Sequence, residues 1–198
     1  RWLEHTTHNR GVAGSSPASA TKIPQHVLGE FLFNAVHAKP ASVSGNCQTR
    51  CVVNPNVQGK QYPATEPYLV GREKIREFAH AVKSNSPTNL DLFAAQAAGY
   101  TDLVAPPTFA VVIQERSLAT VLSDPEADID FSRVVHGDQR FIHARPIVAG
   151  DELTSQLSVA SVKSLGAHSM VTFETKIYDV KQELVCTAIS TLVVRGDE

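Results

Sequence analysis

The chain has 198 residues, 42% of them hydrophobic, and a net charge of −2. That is room for one domain plus an extension, with enough apolar material for a packed core, and it leaves no global electrostatic footprint for nucleic acid. Cys47, Cys51 and Cys186 form no Cys-x-x-Cys pair, which argues against a disulfide scaffold or a zinc site and fits a reducing cytoplasm.

Charge is unevenly spread. Residues 1–60 carry six Lys/Arg against two acids, a net of +4, and the remainder carries twelve against eighteen, a net of −6. The break divides the chain into an unstructured or spurious extension, 1–57, and a domain, 58–198. Up to about residue 52 no period of 2 or 3.6 is sustained, and His5, His8, His26 and His37 there are read as solvated. The apolar patch at 27–36 is short and interrupted by Glu30 and Asn34, so it neither spans a bilayer nor makes a good signal-peptide core. Gly14-Ser15-Ser16-Pro17 is what the codons GGT-TCG-AGT-CCN specify, a string that resembles the T-arm of a tRNA gene. The chain begins with Arg, and its only methionine is Met170. The expectation is a gene start placed too far upstream, with translation beginning at Val52 or Val53 from a GTG codon.

The ordered part opens with a short strand, Tyr68-Leu69-Val70, broken by Gly71. Ile75, Phe78, Ala79 and Val82 then lie on one helical face over 72–82. Ser84-Asn85-Ser86-Pro87-Thr88-Asn89 has loop chemistry. A short Ala-rich helix over 92–98 is closed by Gly99. The most apolar helix follows, opened by Val104-Ala105-Pro106-Pro107-Thr108-Phe109 and running to about Leu122. Pro107 is tolerated in its first turn because that N–H has no intrahelical partner. A helix apolar nearly all round is one wrapped by other structure.

The last third is β. Segments 131–144, 152–162, 168–180 and 183–194 are rich in Val, Thr, Ile and Phe, separated by Gly150-Asp151, Leu165-Gly166 and Lys181-Gln182 turns. One buried helix before long antiparallel strands describes an α+β protein with its sheet curled round that helix.

This order of elements resembles the hotdog fold, and more narrowly the MaoC-like dehydratase family. Within it, the small subunits of mycobacterial-type (3R)-hydroxyacyl-ACP dehydratases are similar. Four strings carry the likeness, spanning 70–79, 104–109, 135–141 (Val135-His136-Gly137-Asp138-Gln139-Arg140-Phe141) and 145–153. They lie within about Tyr62 to Arg195, after the charge break.

The resemblance implies reversible loss of water from a 3-hydroxyacyl thioester, without a cofactor or metal. That chemistry needs an acid–base pair and donors on the thioester oxygen as enolate charge develops. Active members carry Asp-x-Asn-Pro-x-His-x-Asp. Aligned on Pro87, this chain has Ser84 at the first Asp, Ser86 at the Asn, Asn89 at the His, and Asp91 at the last Asp. Neither Ser84 nor Asn89 acts as a base near neutral pH, since an amide does not titrate and a hydroxyl needs a neighbouring base.

Related hydratases use a glycine N–H at the start of the buried helix to hold the thioester oxygen. Here Pro106 or Pro107, which have no N–H, fall near that place, and Thr108 N–H takes over. Pro87, Pro107, Thr108 and Phe109 are the candidate substrate-binding residues. His80, Asp91 and His136 are weaker catalytic candidates, beside Asp138 and His143. Asp102 reads as a turn-holding residue.

A lone hotdog exposes a sheet edge and one side of its helix, so a partner is implied. It is either a MaoC-like catalytic subunit, giving a heterodimer, or a second copy. The leading expectation is an acyl-chain-binding subunit of a dehydratase. The alternatives are a self-sufficient homodimeric hydratase and an acyl-thioester-binding module without lyase activity. No nucleic acid or membrane is expected as a partner. Intact-mass measurement on the native protein is expected to find a species lacking residues 1–50; one retaining them overturns the gene-start reading.

Overall fold

The computed structural model describes residues 53–196, where four strands from the β-rich last third and a short upstream one form a five-stranded antiparallel sheet. In chain order the elements are β1 (Tyr68–Leu69), α1 (Arg72–Ala81), α2 (Pro87–Leu90), α3 (Leu92–Ala97), α4 (Ala110–Leu122), β2 (Val134–His143), β3 (Glu152–Leu165), β4 (His168–Asp179) and β5 (Leu184–Val194). Strand order is β1-β3-β4-β5-β2. The short β1 and the ten-residue β2 are therefore the edges.

Alternation builds the sheet's inner face. Leu153, Leu157 and Val159 of β3 and Val171, Phe173 and Ile177 of β4 are buried, with half-exposed or polar neighbours between them. This is the period-2 pattern of a sheet with one covered side. The curled sheet takes α4 against β3, β4 and β5. Phe109, Ala110, Ile113 and Val121 supply the apolar contact. Two polar ties fix the helix there: Gln114 Nε2 donates to Ser190 Oγ at 3.0 Å, and Ser155 Oγ donates to the Ile113 carbonyl at 3.2 Å. Buried polar groups persist where they are bonded.

The expected elements form, with two local differences. Pro87, read as loop punctuation, opens the single-turn helix α2, because a proline at the first helical position gives up an N–H that would have no intrahelical partner. The strand expected from residue 131 begins at Val134. The Asp130 carboxylate accepts from Ser132 N at 3.0 Å and holds Phe131–Arg133 in a 3-10 turn instead. Gly137 sits at a β-bulge of β2, between His136 and Asp138. A Cβ on it would lie 3.3 Å from the Thr191 carbonyl oxygen, tighter than ordinary contact.

The domain boundary moves. Val53 and Val57 are buried with Tyr62, Leu157 and Phe173, so the packed body includes residues assigned to the extension by charge alone. Residues 53–57 are held by backbone bonds, such as Asn54 N to the Ala127 carbonyl at 3.3 Å, that no charge count reveals. The rest of the extension, including the expected start at Val52, lies outside the described residues.

That N-terminal arm is tied to the far end of α4. Asp124 accepts from Lys60 Nζ and from Tyr62 Oη, both at 2.7 Å. The two donors hold the Asp124 carboxyl below the usual carboxylate range. Burial, then Asp124, pushes the Tyr62 phenol up to about 12.

A lowered acid stabilises the fold above its unfolded value and loses that contribution as pH falls through its folded value. A raised phenol stabilises below about pH 10 and loses its contribution as pH climbs toward about 12. Thermal melts across pH are therefore expected to show a plateau at neutral pH that falls on both sides, with Asp124→Asn flattening the acid limb; an acid limb unchanged by that substitution counts against this tie.

Candidate functional site

The approach to α4 is built from the loop between α1 and α3. Helix α1 ends at Ala81, Lys83 with a φ of +56° turns the chain back, and Ser84 N bonds the Ala79 carbonyl at 2.8 Å. The Ser84 hydroxyl then donates to Asn89 Oδ1 at 2.7 Å, and Asn89 Nδ2 donates to the Val104 carbonyl at 2.6 Å. Val104 N in turn donates to the Thr88 carbonyl at 3.0 Å. Val104 is thus gripped at both its backbone groups by α2. Asn89 is only 4% exposed, so its bonds stand in a setting where an unmade one is costly.

The other side of this segment is clamped as well. Ala105 N bonds the Ile147 carbonyl at 2.8 Å and Ala149 N bonds the Leu103 carbonyl at 2.9 Å. Upstream, Arg72 makes a forked pair with Asp102, Nε to Oδ1 at 2.9 Å and Nη2 to Oδ2 at 2.7 Å. The guanidinium beside it holds the Asp102 carboxyl below its ordinary range. Asp102 also accepts from Leu103 N at 2.7 Å, so its turn-holding role extends to α1.

Pro106-Pro107-Thr108 follows, with Pro107–Phe109 as a 3-10 turn running into α4. Pro107 and Thr108 are exposed. With prolines at 106 and 107, Thr108 N is the first backbone donor at this helix start. Phe109, expected to touch substrate, is wholly buried and meets Phe78 edge-on at 5.3 Å. It is a core residue, because its side chain turns inward beneath the turn that exposes its two neighbours. Pro87 is exposed at the start of α2.

The weaker candidates are scattered. Asp91 caps α3, accepting from Phe93 N at 2.8 Å. His80 is exposed on the last turn of α1. The exposed His136 bonds the Asp138 carbonyl through Nε2 at 3.0 Å, across the bulge.

One group reaches the helix start from far along the chain. His143, the last residue of β2, places Nε2 2.8 Å from the Pro107 carbonyl oxygen. The Cys186 thiol, pushed up to about 11 by burial, lies 3.9 Å from the same nitrogen. His143 stood in the sequence as one titratable residue among several, with nothing local to link it to Pro107. Among the described residues, no group of three or more His, Cys, Asp or Glu could hold a metal ion.

Residues 56–188 match the family model described as "FAS1-like, dehydratase domain region". A UPF0336 protein of Leifsonia xyli subsp. xyli is 64% identical over 146 residues, 74% of this chain and 98% of that protein. Among solved structures, the C-terminally truncated HadBC (3R-hydroxyacyl-ACP dehydratase) complex of Mycobacterium tuberculosis is similar at 32% identity with a TM-score of 0.64. The match covers 71% of this chain and 98% of that one. A MaoC-like dehydratase is similar at 33% identity and a TM-score of 0.61, over 71% of this chain and 42% of that one.

Replacing Asn89 with Ala strips partners from the Ser84 hydroxyl and the Val104 carbonyl. It is expected to cost about 2 kcal/mol of unfolding free energy in urea titration; an unchanged midpoint would show that this amide carries no structural load.

Proposed function

This chain belongs to the family of FAS1-like dehydratase domains, MaoC-like hotdog proteins of the hydratase and dehydratase type, and we propose that it is the acyl-thioester-binding subunit of a (3R)-hydroxyacyl thioester dehydratase in fatty-acid elongation. One observation carries the reading. The two positions where an acid–base pair belongs hold Ser84 and Asn89, which bond to each other and to the Val104 carbonyl. Neither moves a proton near neutral pH.

Dehydration removes the proton beside the thioester carbonyl and expels the 3-hydroxyl, with a second proton, as water. Both transfers require titratable groups. Among the described residues the titratable candidates near the helix start are already engaged: Asp91 as a cap, His136 with its own strand and His143 with the Pro107 carbonyl. Both groups therefore come from a second MaoC-like chain. This chain offers Thr108 N–H to the thioester oxygen, where the positive end of α4 favours negative charge. Pro87 and Pro107 border the acyl entry, and the carrier is CoA or acyl carrier protein. The reaction combines two proton transfers with cleavage of the C3–O bond and no net oxidation, so it calls for no redox cofactor.

The partner chain has a place to dock. Strand β2 is paired along one side only, with β5, and an unpaired ten-residue edge is a template for another strand. Val135 and Ile142 are exposed along it. The Gln139 amide is enclosed with neither its nitrogen nor its oxygen bonded within the protomer. The M. tuberculosis protein it resembles is a complex, which supports two unlike subunits over two copies. No helix among the described residues is long and apolar enough to cross a membrane, and the cysteine pattern supports the cytoplasm as the compartment.

On crotonyl-CoA and on a longer enoyl-CoA, the purified chain is expected to hydrate at close to background rate. Mixed with a MaoC-like chain bearing the intact Asp and His, the rate is expected to rise by roughly 10²-fold or more. Strong turnover by this chain alone would refute the subunit reading.

A further inference from the structure

The atom that His143 holds and the atom proposed to hold the substrate belong to one peptide unit. The Pro107 carbonyl and the Thr108 N–H flank the same C–N bond. No peptide among the described residues is cis, and a trans peptide is a rigid plane with its C=O and N–H pointing in opposite directions. Fixing the oxygen therefore fixes the direction of the hydrogen. His143 Nε2 lies 2.8 Å from that oxygen. A carbonyl only accepts, so this nitrogen carries the proton and donates.

Two bonds set the tilt of this plane. Proline locks φ at 107 but leaves ψ free, and ψ is the rotation that swings the Thr108 N–H. Phe109 N bonds the Pro106 carbonyl at 2.8 Å, closing the 3-10 turn whose central peptide is Pro107–Thr108, and the His143 bond adds a side-chain anchor on that peptide's own oxygen. His143 is itself seated by strand pairing opposite Cys186 and by the Phe141 ring, 6.3 Å from its own.

We propose that His143 is a positioning residue for thioester recognition: by donating to the Pro107 carbonyl it aims the Thr108 N–H at the substrate's carbonyl oxygen and polarises that N–H. The polarisation follows from hydrogen-bond cooperativity along a peptide, where loading the oxygen strengthens the N–H as a donor. His143 makes no contact with substrate in this role. The inference rests on the assignment of Thr108 N–H as the thioester donor.

The test compares crotonyl-CoA with S-butyl-CoA, a thioether that lacks the carbonyl, by calorimetric titration of the full chain. It is joined to isotope-edited infrared spectra of the bound carbonyl. The variants are His143→Gln, which keeps an N–H donor, and His143→Phe and His143→Leu, which do not. His143 is exposed, and thermal melts check that each variant folds.

Wild type and His143→Gln are expected to bind crotonyl-CoA alike and to shift its carbonyl stretch to lower frequency. His143→Phe or His143→Leu is expected to weaken crotonyl-CoA binding about tenfold, to lose most of that shift, and to leave S-butyl-CoA binding unchanged. Equal carbonyl shifts in all variants overturn the role of His143 while leaving the thioester site standing. Equal weakening of both ligands overturns it too, since that marks a general disturbance. Wild type that binds neither ligand overturns the acyl-thioester reading itself.

Discussion

A sheet that curls has a concave side that must be filled, and α4 is what fills it. Phe109, Ile113 and Val121 lie against β3, β4 and β5 with no access to solvent to speak of. Burial of this kind is the largest favourable term available to a domain this size. It also dictates where polar atoms can stand. Gln114 Nε2 and Ser155 Oγ cross the interface as donors with acceptors in place. Once α4 is seated, its start must emerge at the rim beside the end of β2, and the location of the site follows from that placement.

At the rim the chain is held from three directions. The loop after α1 grips Val104 through Asn89 and Thr88, the segment before β3 grips Leu103 and Ala105, and β2 reaches Pro107 through His143. Under the proposed function, Asn89 and Ser84 show what replacing an acid–base pair accomplishes. A histidine and an aspartate there would keep nitrogen and oxygen atoms available for proton transfer. An amide and a hydroxyl of matching reach satisfy one another, and they convert a reactive corner into a brace for the helix entrance. Rigidity at this entrance is what a binding surface requires, because donors must already be aimed when the ligand arrives.

Another exposed feature is the β2 edge. Its bulge between His136 and Asp138 is shaped by a glycine that a larger residue could not replace without displacing β5. Bulges commonly regulate how an edge pairs. This edge ends at His143, so a chain docking along it would arrive next to the mouth of the site. In the proposed reading, binding and assembly thus share one strand.

Much of this architecture was legible in the sequence. Alternating Val, Thr, Ile and Phe over the last third specified four long strands, and the spacing of Ile75, Phe78 and Ala79 specified α1, because side-chain period follows backbone geometry. That Ser84 and Asn89 are not titrating groups near neutral pH could also be read directly, since residue identity decides which groups titrate. Four things waited for the tertiary structure: the Asn89 bond to Val104, the packing of Val53 and Val57, the inward turn of Phe109, and the bond from His143 to Pro107. Each depends on which side of a turn a side chain leaves, or on segments as far apart in sequence as Val53 and Phe173 being folded together. Local periodicity holds no information about either, because those distances are set by how the sheet closes on its helix.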